Sequence, residues 1–160
     1  MLLGKILATA AMKENKHVTW LPSYGAEVRG GTAYCMVVIS DKEISSPRFN
    51  KADTLIIMNT PSLEKFKSRI TPGGLLLLNA SLAGGAIDKI RSLRHPFTDI
   101  AISLGNIKVA NMVALGCYIK NKKIVNRQSV IKVIEEIAPP DKKGLVEINK
   151  KALSAGTELG

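Results

Sequence analysis

Aromatic side chains make up only 4% of this sequence, so any core must be built from aliphatic side chains. Cysteine and histidine are scarcer, two of each. Cys35 and Cys117 lie in apolar surroundings without ligand-like neighbours. With His17 and His95 they match no standard spacing for a zinc site or an iron–sulfur cluster. They read as small buried hydrophobes of a protein kept in a reducing cytoplasm. No G-x-G-x-x-G or Walker pattern occurs, and Gly84-Gly85 is too little for a phosphate cradle. No apolar run is long enough to span a membrane. The stretch Met1 to Met12 is apolar but interrupted by Lys5 and has no charged leader, so it reads as a helix rather than a signal peptide.

Acidic residues are outnumbered, 13 against 23 basic ones, for a net charge of +10. Such an excess fits nucleic acid, an anionic ligand or an acidic partner protein. The cations are scattered, however: Lys65, Lys67 and Arg69, then Arg91 and Arg94, then Lys120, Lys122 and Lys123. Few aromatics interleave with them and no nucleic-acid motif appears. A solvated surface is the first reading, and a docking face for an acidic protein the second. No catalytic constellation stands out: neither histidine has a nucleophile beside it, and Glu135 and Glu136 lie on the polar face of a helix, where solvation accounts for them.

What is present is a chain of 160 residues, 46% apolar, enough for one domain with a real core. Leu2, Leu3, Ile6, Leu7, Ala10 and Ala11 share one helical face. His17 to Leu21 reads as a strand that Pro22 ends. Ala33 to Ser40 is a second strand, after which Asp41-Lys42 turns the chain toward Ile44 as a hairpin return. Leu55 to Met58 and Leu75 to Leu78 are continuous apolar runs, as expected of strands covered on both faces. Between them Thr60 caps a helix with Pro61 at its first position, and Thr71-Pro72-Gly73-Gly74 breaks the chain. This is a right-handed crossover unit. Lys89 to Arg94 reads as a short strand. Helices follow over Phe97 to Leu104, Ile107 to about Lys120 with Asn106 as cap, Ser129 to Ile137, and about Gly144 to Ala155. The alternation predicts a three-layer, Rossmann-like α/β domain with a mixed, mostly parallel sheet.

One stretch organises the rest: Ser23-Tyr24-Gly25-Ala26-Glu27-Val28-Arg29-Gly30-Gly31-Thr32, flanked by Trp20 and Tyr34. It is a glycine-rich loop feeding an apolar strand. Glycine permits close approach of another backbone, and loops of this kind on a rigid sheet often carry function. A plain turn with solvated Glu27 and Arg29 is equally open on the residues alone. Two residues apart on an extended segment, Glu27 and Arg29 point to one side and suit an interface. Asn111, polar in an apolar helix, reads as a buried amide bonded to neighbouring backbone, or else as a contact for a partner loop or an adenine-bearing ligand.

The run from Trp20-Leu21-Pro22 through S-Y-G-A-E-V-R-G-G-T resembles the gamma subunit of the 2-oxoacid:ferredoxin oxidoreductases, most closely the 2-oxoglutarate-type branch. The resemblance continues through Leu104-Gly105-Asn106, Asn111-Met112-Val113-Ala114-Leu115-Gly116 and Glu147-Ile148-Asn149-Lys150-Lys151-Ala152. It implies residues 1–160 as a single gamma domain of a multi-subunit enzyme that oxidatively decarboxylates a 2-oxoacid to its acyl-coenzyme A. Thiamine diphosphate and iron–sulfur clusters would sit on other subunits, with coenzyme A as co-substrate. The implied partners are alpha and thiamine-binding beta subunits, a ferredoxin-like delta subunit, and ferredoxin as electron acceptor; nucleic acid and membrane are not among them. Ser23, Tyr24, Gly25, Glu27, Arg29, Gly30, Gly31 and Asn111 become candidates for a subunit interface or the coenzyme A side, with no catalytic or metal residue on this chain. A stand-alone nucleotide- or coenzyme-binding regulatory module is the alternative. Members of the family begin with a strand and a Gly-Gly-Gln-Gly loop. Here Leu3-Gly4-Lys5-Ile6-Leu7-Ala8 matches only the helix after that loop, so the chain is expected to be N-terminally short and its sheet to lack the usual first strand.

Overall fold

The computed structural model describes residues 1–25, 32–85, 87–139 and 143–159. They are α/β, and they divide into two compact units, Met1–Phe49 with Lys123–Val146, and Asn50–Lys122 with Glu147–Gly160.

The first unit is built on a hairpin. Strand β1 (His17–Ser23) pairs antiparallel with β2 (Tyr34–Ser40), Trp20 opposite Val37 and Ser23 opposite Tyr34. The antiparallel partner of β2 is therefore the strand before it. The residues after Asp41-Lys42 form no hairpin return; they stay irregular up to Ala52. Pro22 does not end β1 either. It pairs with Cys35, which is possible because a strand of a two-stranded sheet has an edge where a missing N–H costs no ladder bond.

Helix α1 (Leu2–Lys13) buries Ile6, Leu7, Ala8, Ala10 and Ala11 and packs on the hairpin. Gly4 makes this contact possible, since a Cβ there would fall on Cys35 Sγ and 3.2 Å from Val37. The strongly amphipathic helix α5 (Arg127–Ile137), with Val130, Val133 and Ile134 buried, lies against α1. Polar ties join the two. Lys13 Nζ pairs with Glu136 Oε1 at 2.8 Å, so solvation is not the whole account of Glu136, and Glu14 Oε1 accepts from the Asn126 N–H at 2.7 Å.

The second unit holds a parallel sheet in the order β3-β4-β5, from Ala52–Ile57, Ile70–Asn79 and Arg91–His95. Leu75 to Leu78 are fully buried because β4 is central, with Leu55 opposite Leu76 on one side and Leu93 opposite Leu77 on the other. Thr71-Pro72-Gly73-Gly74 does not break the chain. It forms an irregularity inside β4, so that pairing moves from Ala52–Ile70 directly to Thr54–Leu75, with Gly73 taking φ +74°. The crossover between β3 and β4 is helix α2 (Thr60–Phe66) and a 3-10 turn, Lys67–Arg69. The cap of α2 is Asn59, whose side chain accepts from the Ser62 N–H at 3.1 Å, and Thr60 is already helical.

After β5 come α3 (Phe97–Ser103), stopped at Gly105 with φ +91°, and α4 (Ala110–Lys122), led in by a 3-10 turn that Asn106 caps. Helix α4 is buried over Met112 to Ile119. The last helix, α6 (Lys143–Thr157), sets Ala152 and Leu153 into the core.

Candidate functional site

Of the residues singled out in the organising loop, Glu27, Arg29, Gly30 and Gly31 lie outside the described residues. Ser23, Tyr24 and Gly25 are described. Ser23 is the last residue of β1, set opposite Tyr34 at the first of β2, so the hairpin presents the loop at one end. Tyr24 leaves the strand at once, 71% exposed. An aromatic ring held in water beside glycine gains nothing for the fold. It is the kind of side chain that becomes buried when another surface arrives. Behind it Trp20 packs close to Gly4, and its Nε1–H is enclosed without a hydrogen-bond partner among the described residues.

Asn111 belongs to the other unit, in the first turn of α4. Its Oδ1 is enclosed and has no hydrogen-bond partner among the described residues. The expected bond to neighbouring backbone is thus not made by this acceptor. Asn111 and the described loop residues thus belong to different units.

A second constellation was hidden in the sequence. At the carboxyl ends of the three parallel strands, Asn79 is fully buried. Its Nδ2–H2 donates to the Met58 carbonyl at 3.1 Å and to Thr98 Oγ1 at 2.8 Å, and its Oδ1 accepts from the Thr98 N–H at 3.2 Å. The Ala80 N–H donates to the His95 carbonyl at 2.9 Å. One amide thereby ties β3, β4 and the start of α3 together at the end of the sheet where α/β folds place ligands. Its only sequence signal is a polar residue closing a run of four leucines. His95, beside it on β5, keeps an enclosed Nε2 with no hydrogen-bond partner among the described residues.

Two groups buried in α4 titrate well above their ordinary values. Burial pushes the Cys117 thiol up to about 11, so it stays protonated and inert. Burial, with the charge of Asp53, pushes Tyr118 up to about 12. Among the described residues no group of three His, Cys, Asp or Glu is placed to hold a metal ion, and both cysteines are free. This donor set does not fit an iron–sulfur cluster. Nor is any helix among the described residues long and apolar enough to cross a membrane.

The chain matches the model of the family described as pyruvate ferredoxin/flavodoxin oxidoreductase over residues 1–159. It is 36% identical to the 2-oxoglutarate synthase subunit KorC of Methanocaldococcus jannaschii, covering 99% of this chain and 86% of that protein. It is 34% identical to the ketoisovalerate oxidoreductase subunit VorA of Methanothermobacter thermautotrophicus, covering 98% of this chain but 33% of that protein. The chain therefore spans about a third of the length of the VorA relatives. Among solved structures, a keto/oxoacid ferredoxin oxidoreductase gamma subunit from Geobacter sulfurreducens superimposes with a TM-score of 0.80 at 28% identity, over 98% of this chain and 88% of that one. The chain belongs to the pyruvate ferredoxin/flavodoxin oxidoreductase family, as a gamma-type chain of the 2-oxoacid:ferredoxin oxidoreductases.

Proposed function

We propose that the chain is the gamma subunit of a multi-subunit 2-oxoglutarate:ferredoxin oxidoreductase in the cytoplasm, supporting assembly and the coenzyme A side of the oxidative decarboxylation. The observation that carries this reading is the KorC relative, to which the chain is similar over 86% of that protein's length. The VorA relatives support the assembly role in another way. There the similar segment is a third of a longer polypeptide, as expected of a part that works joined to others.

Thiamine diphosphate and the iron–sulfur clusters belong, on this reading, to alpha, beta and ferredoxin-like delta subunits, and they supply the carbanion and electron-transfer chemistry when bound. This chain's part is to hold surfaces in place. The loop from Ser23 through Tyr24, Gly25, Glu27, Arg29, Gly30 and Gly31, together with Asn111, provides the interface or coenzyme A-proximal contacts. A planar guanidinium at Arg29 suits bidentate contact with a carboxylate or phosphate.

The test is purification from native cells or co-expression with the neighbouring subunits. A complex containing this chain should reduce a viologen dye with 2-oxoglutarate and coenzyme A, faster than with pyruvate or 3-methyl-2-oxobutanoate, while the chain alone does not. Arg29→Ala should weaken assembly more than it lowers the chain's own unfolding temperature. A chain that leaves native cells without any thiamine-dependent partner, or turnover by the single chain, would overturn the reading.

A further inference from the structure

Four cations lie together in the second unit. Lys65, Lys67 and Arg69 follow one another through the end of α2 and the 3-10 turn, all exposed. Lys51, well before them in the chain, joins them, its Nζ donating to the Ser68 carbonyl at 2.6 Å. The nearest acids in sequence are Glu64, which pairs with Lys67, and Asp53, which lies close enough to Tyr118 to raise it. Residues 64–69 thus carry three cations and one acid.

These cations are also held. The ring of Phe66, itself buried, sits under two of them, with Lys65 Nζ at 5.7 Å and Arg69 Cζ at 5.5 Å from its centroid. Lys51 is fixed by the Ser68 carbonyl. A solvated lysine face is normally loose, and ordering it on binding costs side-chain entropy. Here part of that ordering is already done.

The position of the turn decides what it faces. It follows α2 and leads into Ile70, so it stands at the amino end of the parallel strands. Asn79, Thr98 and His95 mark the opposite, carboxyl end, where ligands bind in such sheets. The cations of the turn are exposed, and exposed ion pairs with a small anion contribute little against water and salt. A second copy of the chain would bring two surfaces of net charge +10 together, which repel. A broad acidic protein surface meets neither objection.

We propose that Lys51, Lys65, Lys67 and Arg69 form a docking surface for an acidic face of a partner subunit. The inference rests on the proposed assembly and adds the place and the charge of one contact. Positive and negative faces of this kind set partner choice and association rate, and salt weakens them.

The test uses the complex obtained with its subunits. The double variant Lys65→Glu/Arg69→Glu is compared with Lys108→Glu/Lys132→Glu, which makes the same charge change at exposed positions elsewhere. Retention of the chain in the complex is followed as NaCl is raised, and viologen reduction with 2-oxoglutarate is measured in parallel. The proposal expects the first variant to bind about tenfold more weakly at low salt and to leave the complex at lower NaCl than wild type. The control should follow wild type. Complexes active with dye in which both double variants dissociate like wild type overturn the docking surface and leave the assembly standing. Failure of any complex to form or to reduce dye overturns both. Sodium phosphate acting at about one-tenth the ionic strength needed with NaCl overturns the proposal in favour of a small-anion site.

Discussion

Gly116 and Gly156 meet where α4 and α6 cross, so closely that a Cβ on Gly116 would stand 2.9 Å from the Gly156 Cα and fall on the Leu153 carbonyl oxygen. A Cβ on Gly156 would likewise fall on the Val113 carbonyl. Backbone, unlike a side-chain tip, has no rotamer by which to withdraw. Gly116→Ala should therefore force the helices apart and destabilise the second unit by about 3 kcal/mol, the upper end for overpacking. Ser103→Ala, on an exposed helix face, serves as a control and should change little. Thermal unfolding followed by circular dichroism reads both.

Asn79 predicts a different kind of loss. Asn79→Ala leaves the buried Thr98 N–H and the part-buried Met58 carbonyl without their bonds, and a stranded buried group costs about 1–3 kcal/mol. Thr98→Val removes only the hydroxyl that accepts from Asn79 and keeps the backbone bond, so it should cost less. Urea midpoints of the two variants give the order. Equal midpoints would show that the amide is not the tie between the strands.

Glu14 should give the first unit a pH dependence. Partial burial alone would raise its carboxyl, but hydrogen bonds from Ser129 and from Asn126, with the charge of Lys16, outweigh that and bring it below its ordinary value. The carboxylate sits at the start of α5, where Asn126 contributes no side-chain cap of its own and negative charge is favoured. A group lowered on folding stabilises fully above its unfolded value of about 4.3. That contribution fades as the pH falls through the folded value. Glu14→Gln should flatten the stability profile on the acid side of about pH 5 and leave its shape unchanged at higher pH, as measured by urea unfolding at a series of pH values.

How far the sequence could be read follows from which forces act locally. The leucine run at 75–78 and the stripe Val130, Val133 and Ile134 were legible because burial imposes a pattern on neighbours in the chain. The helix stop at Gly105 and the cap at Asn106 were legible because they are local chemistry. Boundaries went astray where a distant partner decided them. Pro22 stays in β1 because Cys35 lies opposite. Gly73-Gly74 stays in β4 because β3 resumes the ladder beyond it. Asn59, rather than Thr60, caps α2, two residue types that rank close together as caps. The organising loop stood out as a family signature, and Glu27, Arg29, Gly30 and Gly31 in it lie outside the described residues. The amide of Asn79 was not legible, since its value lies in Met58 and Thr98, which only folding brings to it.

The central strand carries a further consequence, for the time this domain spends folded. β4 has a neighbour along each side, and Leu75 to Leu78 are hidden on both faces. Such a segment has no edge from which to fray. Its amides meet solvent only when the parallel unit comes apart as a whole, whereas Tyr24 and the exposed end of the hairpin are wet from the start. Among the described residues these four leucines are therefore expected to exchange their amide hydrogens slowly, and Tyr24 quickly.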